Sequence, residues 1–140
     1  MLRDKQRNHN SYNAPDSVNA IRWQWKIDNA DVIDYYRQAV GLRRSHSGFR
    51  MTSWDRINSN IKTDETLRYG VVVNRINGGA NGDNWQDIII IYNSADNYEY
   101  TLPEGTRFVA MEKSDPAAGN DRPVTGKVIA EGTAITILHR

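Results

Sequence analysis

Beyond Thr66 the chain becomes a succession of short β-branched runs separated by turn formers, with no helix-period pattern between them, and few folds accept such an arrangement. Six strands are predicted, at 67–76, 86–93, 99–102, 107–112, 127–131 and 133–139. The links Asn77-Gly78-Gly79-Ala80-Asn81-Gly82-Asp83, Asn93-Ser94-Ala95-Asp96-Asn97 and Pro103-Glu104-Gly105-Thr106 are rich in residues that favour tight turns. Strands this close, without crossover helices, pair antiparallel, so a β-sandwich is expected. The unbroken run Ile88 to Ile91 implies a strand covered on both faces. The segment 114–125 reads as a surface loop.

Before Thr66 the period changes to 3.6. Val32, Ile33, Tyr36, Ala39 and Val40 fall three and four apart, which predicts a helix over 28–44 with one buried stripe. Asp31 and Asp34 near its start and Arg43 and Arg44 near its end match the helix dipole, which accounts for those acids without a catalytic role. A second, shorter helix is predicted from Thr52 or Ser53 past Trp54, Ile57 and Ile61. Trp23 and Trp25 alternate like strand or staple residues, and Trp54 falls on an apolar helix face.

Composition removes several function classes. The first 50 residues hold 9 Lys and Arg against 5 Asp and Glu, and the remainder 9 against 12. An asymmetry this mild, with no basic run interleaved with aromatics, is a solvated surface rather than a nucleic-acid footprint. There is no Cys, hence no thiolate metal site and no thiol nucleophile. His9, His46 and His139 are too scattered to form a ligand motif. Asn81-Gly82-Asp83-Asn84 lacks the alternating ligands and distal Glu of a calcium loop. No phosphate-cradling or Gly-x-Ser-x-Gly motif occurs, and no cofactor is expected. The apolar runs are far shorter than the roughly 20 residues a membrane helix requires.

Hydrolysis of a glycosidic bond needs two carboxyl groups facing each other across the scissile atom. Acids are plentiful here, but no pair stands out, and Asp83 and Asp87 beside a Gly-rich turn read as a solvated hairpin end. Sugar binding asks for less: an aromatic face for the C–H side of the ring and amides or carboxylates for its hydroxyls. Tyr12 and Trp23 near the amino terminus and Trp85 on a hairpin offer such faces. Burial in a core is the competing reading for each Trp.

Asn10-Ser11-Tyr12-Asn13-Ala14-Pro15-Asp16-Ser17-Val18-Asn19-Ala20-Ile21 resembles the segment after the last barrel strand in bacterial type I pullulanases, debranching members of glycoside hydrolase family 13 in the alpha-amylase superfamily. Tyr35-Tyr36-Arg37, Leu42-Arg43-Arg44-Ser45-His46 and Phe49-Arg50-Met51 resemble that family's final barrel helix and its exit. Asn81-Gly82-Asp83-Asn84-Trp85-Gln86-Asp87-Ile88, then Thr101-Leu102-Pro103-Glu104-Gly105-Thr106 and Ile137-Leu138-His139, resemble its carboxyl-terminal β domain. Ser47-Gly48 departs from the Pro and small residue usual at the hinge.

The resemblance implies that residues 1–47 are the loop after strand eight and the final helix of a (β/α)8 barrel, and that 48–140 form the antiparallel β-sandwich. It also implies a parent that cleaves α-1,6-glucosidic bonds in pullulan or branched starch, with its catalytic carboxylates on earlier strands absent from this chain. No catalytic residue is therefore assigned, and a structural, stabilising role without hydrolysis is expected. Asn13 and Asp16 are the expected contacts to α-glucan, with Tyr12 and Asn19 shaping their loop; capping the turn at Pro15 is the alternative for the first two. The implied partner is the catalytic barrel. Two other classes stay open: a free-standing glucan-binding module using Trp85, and a homo-oligomer joined through the apolar face of the 28–44 helix.

Overall fold

The computed structural model describes residues 5, 7–66, 68–114 and 121–140. Chain contacts divide it into two compact units, one ending at Arg37 and the other running Gln38–Arg140. Leu67, the expected start of the first strand, and 115–120, the centre of the expected surface loop, lie outside the described residues.

The first unit is short turns and helix. Pro15 precedes the helical turn α1 (Asp16–Asn19), and its carbonyl accepts from the Val18 and Asn19 N–H groups at 2.9 and 3.2 Å. A second turn, α2 (Trp25–Asp28), begins at Trp25. Asn29 closes it by donating from Nδ2 to the Trp25 carbonyl at 3.0 Å, and the Arg22 guanidinium lies 4.8 Å from the Trp25 ring centroid. The long helix α3 (Ala30–Ser45) follows, with Asp31 in its first turn and Arg43 and Arg44 in its last, as the dipole favours. The expected buried stripe is not buried: Val32 and Ile33 are half-covered, Tyr36 and Val40 are exposed, and no residue of α3 is buried. Among the described residues, then, that apolar face is covered only in part.

The second unit is the β-sandwich. Ser53 caps α4 (Trp54–Asn60), its hydroxyl accepting from the Arg56 N–H. Asn60 donates to the Arg56 carbonyl at 2.9 Å and ends the helix there, short of the Ile61 that the periodicity included. Trp54, expected on a buried face, is 74% exposed. Eight strands follow: β1 (Ile61–Asp64), β2 (Val71–Asn77), β3 (Asp87–Asn93), β4 (Tyr98–Thr101), β5 (Arg107–Met111), β6 (Arg122–Val124), β7 (Lys127–Ala130) and β8 (Ala134–His139). Six form one sheet in the order β1-β2-β3-β8-β5-β6, and β4 pairs with β7 in a second; every pairing is antiparallel.

Val71, Val73, Ile89, Ile91, Val109 and Leu138 of the large sheet pack against Tyr100, Val128 and Ala130 of the small one and Leu102 beside it. Each such aliphatic side chain withdrawn from water contributes about 1.5–3 kcal/mol. All four isoleucines from Ile88 to Ile91 are buried, so β3 is covered on both faces, as its unbroken apolar run implied. Two 3-10 turns, Ser47–Arg50 and Gly78–Asn81, approach the outer end of β3. They come so close that a Cβ on Gly48 or Gly78 would press on the Ile88 side chain. The outermost strand, β6, carries Pro123 opposite Phe108.

Candidate functional site

Asn19 ties the amino-terminal loop together. Asn19 Nδ2 donates to the Ser11 carbonyl at 2.7 Å and to the Ala14 carbonyl at 2.8 Å, drawing the two ends of the loop together. Asn10 and Tyr12 complete the curve through Asx turns, each N–H donating to an Asn Oδ1 two residues earlier at 3.1 Å. The loop is thus shaped by Asn19 and by the backbone of Tyr12. The Tyr12 ring is 93% exposed and Asn13 and Asp16 are exposed. Among the described residues neither the Asn13 nor the Asp16 side chain takes a hydrogen bond or ion pair, and Asp16 makes no cap. Structure therefore places one aromatic face, one amide and one carboxylate on a braced loop, all free for a polar ligand.

Trp85 is spent differently. His46 stacks on one face of its indole at 3.4 Å between ring centroids, and His139 on the other at 3.9 Å, with interplanar angles of 17° and 9°. Phe49 meets it edge-on at 6.4 Å. With both faces covered, Trp85 offers no platform to a sugar ring, and the expected glucan surface on this residue is withdrawn.

The same knot corrects the reading of Asp83 as part of a solvated hairpin end. Its carboxylate is 1% exposed and accepts from His46 Nδ1 at 2.9 Å, the Gly48 N–H at 2.7 Å and the Trp85 N–H at 3.0 Å. Burial pushes this carboxyl up, but the Gly48, His46 and Trp85 donors outweigh it and hold Asp83 below the usual range. Beside it Ser47 Oγ donates to the Asn81 carbonyl at 2.9 Å, and Asn81 Nδ2 returns a bond to the Ser47 carbonyl at 2.6 Å. Asp87 pairs with the buried Arg107, and His139 Nε2 lies 2.9 Å from Asp121. Across the sandwich Tyr100 OH donates to Asp64 at 2.7 Å while Arg75 Nε reaches both oxygens of that carboxylate at 2.9 Å. No group of three His, Asp or Glu among the described residues is placed to hold a metal ion.

The sequence signals for this knot are visible in hindsight. Asp83 sits two residues before Trp85, the spacing of an Asx turn, and Gly48 follows a Ser where close backbone approach demands glycine. What the sequence lacks is the pairing across 37 positions that makes Asp83 structural.

A pullulanase of Bacillus subtilis is 29% identical over 141 residues, a match that covers 99% of this chain and 19% of that protein. The solved pullulanase from Bacillus acidopullulyticus superposes with a TM-score of 0.84 at 33% identity, covering 100% of this chain and 17% of that one. The homologues of this chain are pullulanases and isoamylases. An isoamylase of Pseudomonas amyloderamosa is 25% identical over 115 residues, or 73% of this chain and 15% of the isoamylase. No protein-family model matches. The chain thus spans about a fifth or less of the length of these relatives, consistent with a carboxyl-terminal part of a pullulanase. The antiparallel β-sandwich is likewise that of the pullulanase structures.

Proposed function

We propose that this chain is the stabilising carboxyl-terminal part of an enzyme that hydrolyses α-1,6-glucosidic bonds in pullulan or branched starch, and that it does not hydrolyse them alone. Residues 1–47 supply the loop after the last barrel strand and the final helix; 48–140 form the β domain that supports the barrel. The observation carrying this reading is the match of the whole chain to about a fifth of a pullulanase.

The carboxylates support it. A retaining or inverting glycosidase needs two that face one cleft, one of them free to give or take a proton. Six carboxylates of the β unit, Asp64, Asp83, Asp87, Glu99, Glu112 and Asp121, are each held by an Arg, Lys or His, whereas Asp16 stands open on its loop. Asn13, Asp16 and Tyr12 are the groups we assign to α-glucan contact, with Asn19 bracing them, once the remaining wall of the cleft is present. The apolar residues left open, Trp23 at 69% and Ile27 at 72% exposure, are the kind of surface a barrel would cover.

The test uses the purified 140-residue chain, alone and mixed with a pullulanase shortened by its matching carboxyl-terminal part. Alone, no reducing sugar is released from pullulan. In the mixture, activity and heat resistance of the shortened enzyme rise. Release of reducing sugar by the chain alone, abolished by replacing its own carboxylates, overturns the proposal, as does a mixture indistinguishable from the shortened enzyme.

A further inference from the structure

We propose that Asn81 is a self-modifying residue whose side-chain amide is lost to the main-chain nitrogen of Gly82, and that this conversion sets the lifetime of the β-sandwich unit. Two Asn-Gly pairs bracket the Gly78–Asn81 turn, and glycine, lacking a Cβ, hinders attack by its own nitrogen least. The structure separates them.

Asn77-Gly78 is closed. Gly78 is buried, its N–H donates to the Gln86 carbonyl at 3.1 Å, and the space around its Cα is filled by the Trp85 carbonyl, Asp83 and Ile88. Asn81-Gly82 is open. Gly82 is exposed at φ 74° with nothing within 4 Å of where a Cβ would stand, and its N–H donates only within its own turn, to the Gly79 carbonyl at 3.0 Å and also toward Gly78.

Arg56 supplies the second difference. Its guanidinium Nη1 donates to Asn81 Oδ1 at 3.0 Å, placing a positive charge on the carbonyl that becomes an oxyanion when Gly82 N adds to Cγ. A donor already aimed at developing charge favours the addition more than it favours the neutral amide. Asn77 Oδ1 has only the neutral Ala80 N–H.

The step balances without a co-reactant other than water. Gly82 N loses its proton and bonds to Asn81 Cγ, the Cγ–Nδ2 bond breaks, and ammonia leaves with that proton. Water then opens the cyclic imide at either carbonyl, giving aspartate or isoaspartate at position 81. Both products lose the 2.6 Å bond from Nδ2 to the Ser47 carbonyl and set a carboxylate against that oxygen. Isoaspartate also adds a methylene to the main chain two residues before Asp83, whose three hydrogen bonds hold His46, Gly48 and Trp85.

The experiment is a time course of the full chain in mildly alkaline buffer, mapped by peptide mass spectrometry for the mass gained when NH is exchanged for O. Asn81 is expected to convert while Asn77 in the same molecules lags by about fivefold or more, and Arg56→Gln is expected to slow Asn81 by about fivefold and leave Asn77 unchanged. Arg56 is exposed, so its variant folds; hydrogen exchange at Gly48 in the aged protein reports the loosened knot. Equal conversion at the two sites, conversion at Asn77 alone, none at Asn81, or an unchanged Asn81 rate in Arg56→Gln overturns the proposal.

Discussion

The Asp83 carboxylate and the His46 imidazole, 37 positions apart, meet at 2.9 Å and join the exit of α3 to the hairpin that leads into β3. A buried carboxylate with three donors contributes stability only while every donor has it as partner. Asp83→Ala strands the Gly48 and Trp85 N–H groups and is expected to cost roughly 3–5 kcal/mol. Urea unfolding should show a lower midpoint at unchanged slope. An unchanged midpoint would mean that the donors find water instead.

The same group gives an acid limb to stability. Burial raises the Asp83 carboxyl, the Gly48, His46 and Trp85 donors together lower it by more, and the net is a folded value below the ordinary 3.8. Asp64 follows the same pattern, with Arg75 and Tyr100 outweighing burial. A lowered carboxyl contributes stability that is complete above about pH 4, its unfolded range, and is lost as pH falls through the folded value. Acid titration followed by circular dichroism should show the wild type losing stability below about pH 4, and a shallower loss in Asp83→Asn.

Tyr100 gives the opposite limb. Burial, then the Asp64 carboxylate, raise its phenol to about 12. A raised group contributes stability present below its unfolded value near 10 and lost as pH climbs through the folded one. Ultraviolet titration should find Tyr100 ionising only near pH 12. Tyr100→Phe is expected to cost about 1 kcal/mol, the worth of one hydrogen bond.

Trp85→Ala empties the space between His46 and His139, and a loss of roughly 3 kcal/mol is expected from the cavity and lost stacking. Migration in gels containing pullulan should not change at temperatures where the variant stays folded. Retardation of the wild type that Trp85→Ala abolishes would restore a sugar-binding role to the indole.

In the amino-terminal unit the two kinds of asparagine part company. Asn19→Ala removes both struts of the loop and should raise hydrogen exchange from Ser11 to Asn19 by about tenfold, roughly 1.4 kcal/mol. Asn13→Ala and Asp16→Ala, whose side chains make no hydrogen bond or ion pair among the described residues, should leave exchange unchanged while weakening glucan turnover in the assembled enzyme.

Patterns confined to neighbouring residues were legible in the sequence. The caps and dipole placed α3 and α4 within a few residues, and alternation with turn formers located six of the eight strands. The two missed, β1 and β6, have 4 and 3 residues, too few to show alternation, and lie at the sheet edges, where pairing and not apolar burial defines the strand. Asp83 and Trp85 differ from their sequence reading for a related reason: their surroundings are set by the distant His46 and His139. In the loop, sequence chose Asn13 and Asp16, and only the structure divides bracing by Asn19 from the open Tyr12 ring.

Pro123 on β6 has a bearing on how the isolated chain behaves at high concentration. Proline has no N–H to offer a neighbour, so the rim of the large sheet that it occupies is a poor template for another molecule's strand. Strand addition to the large sheet by folded copies would therefore begin at its other rim, β1.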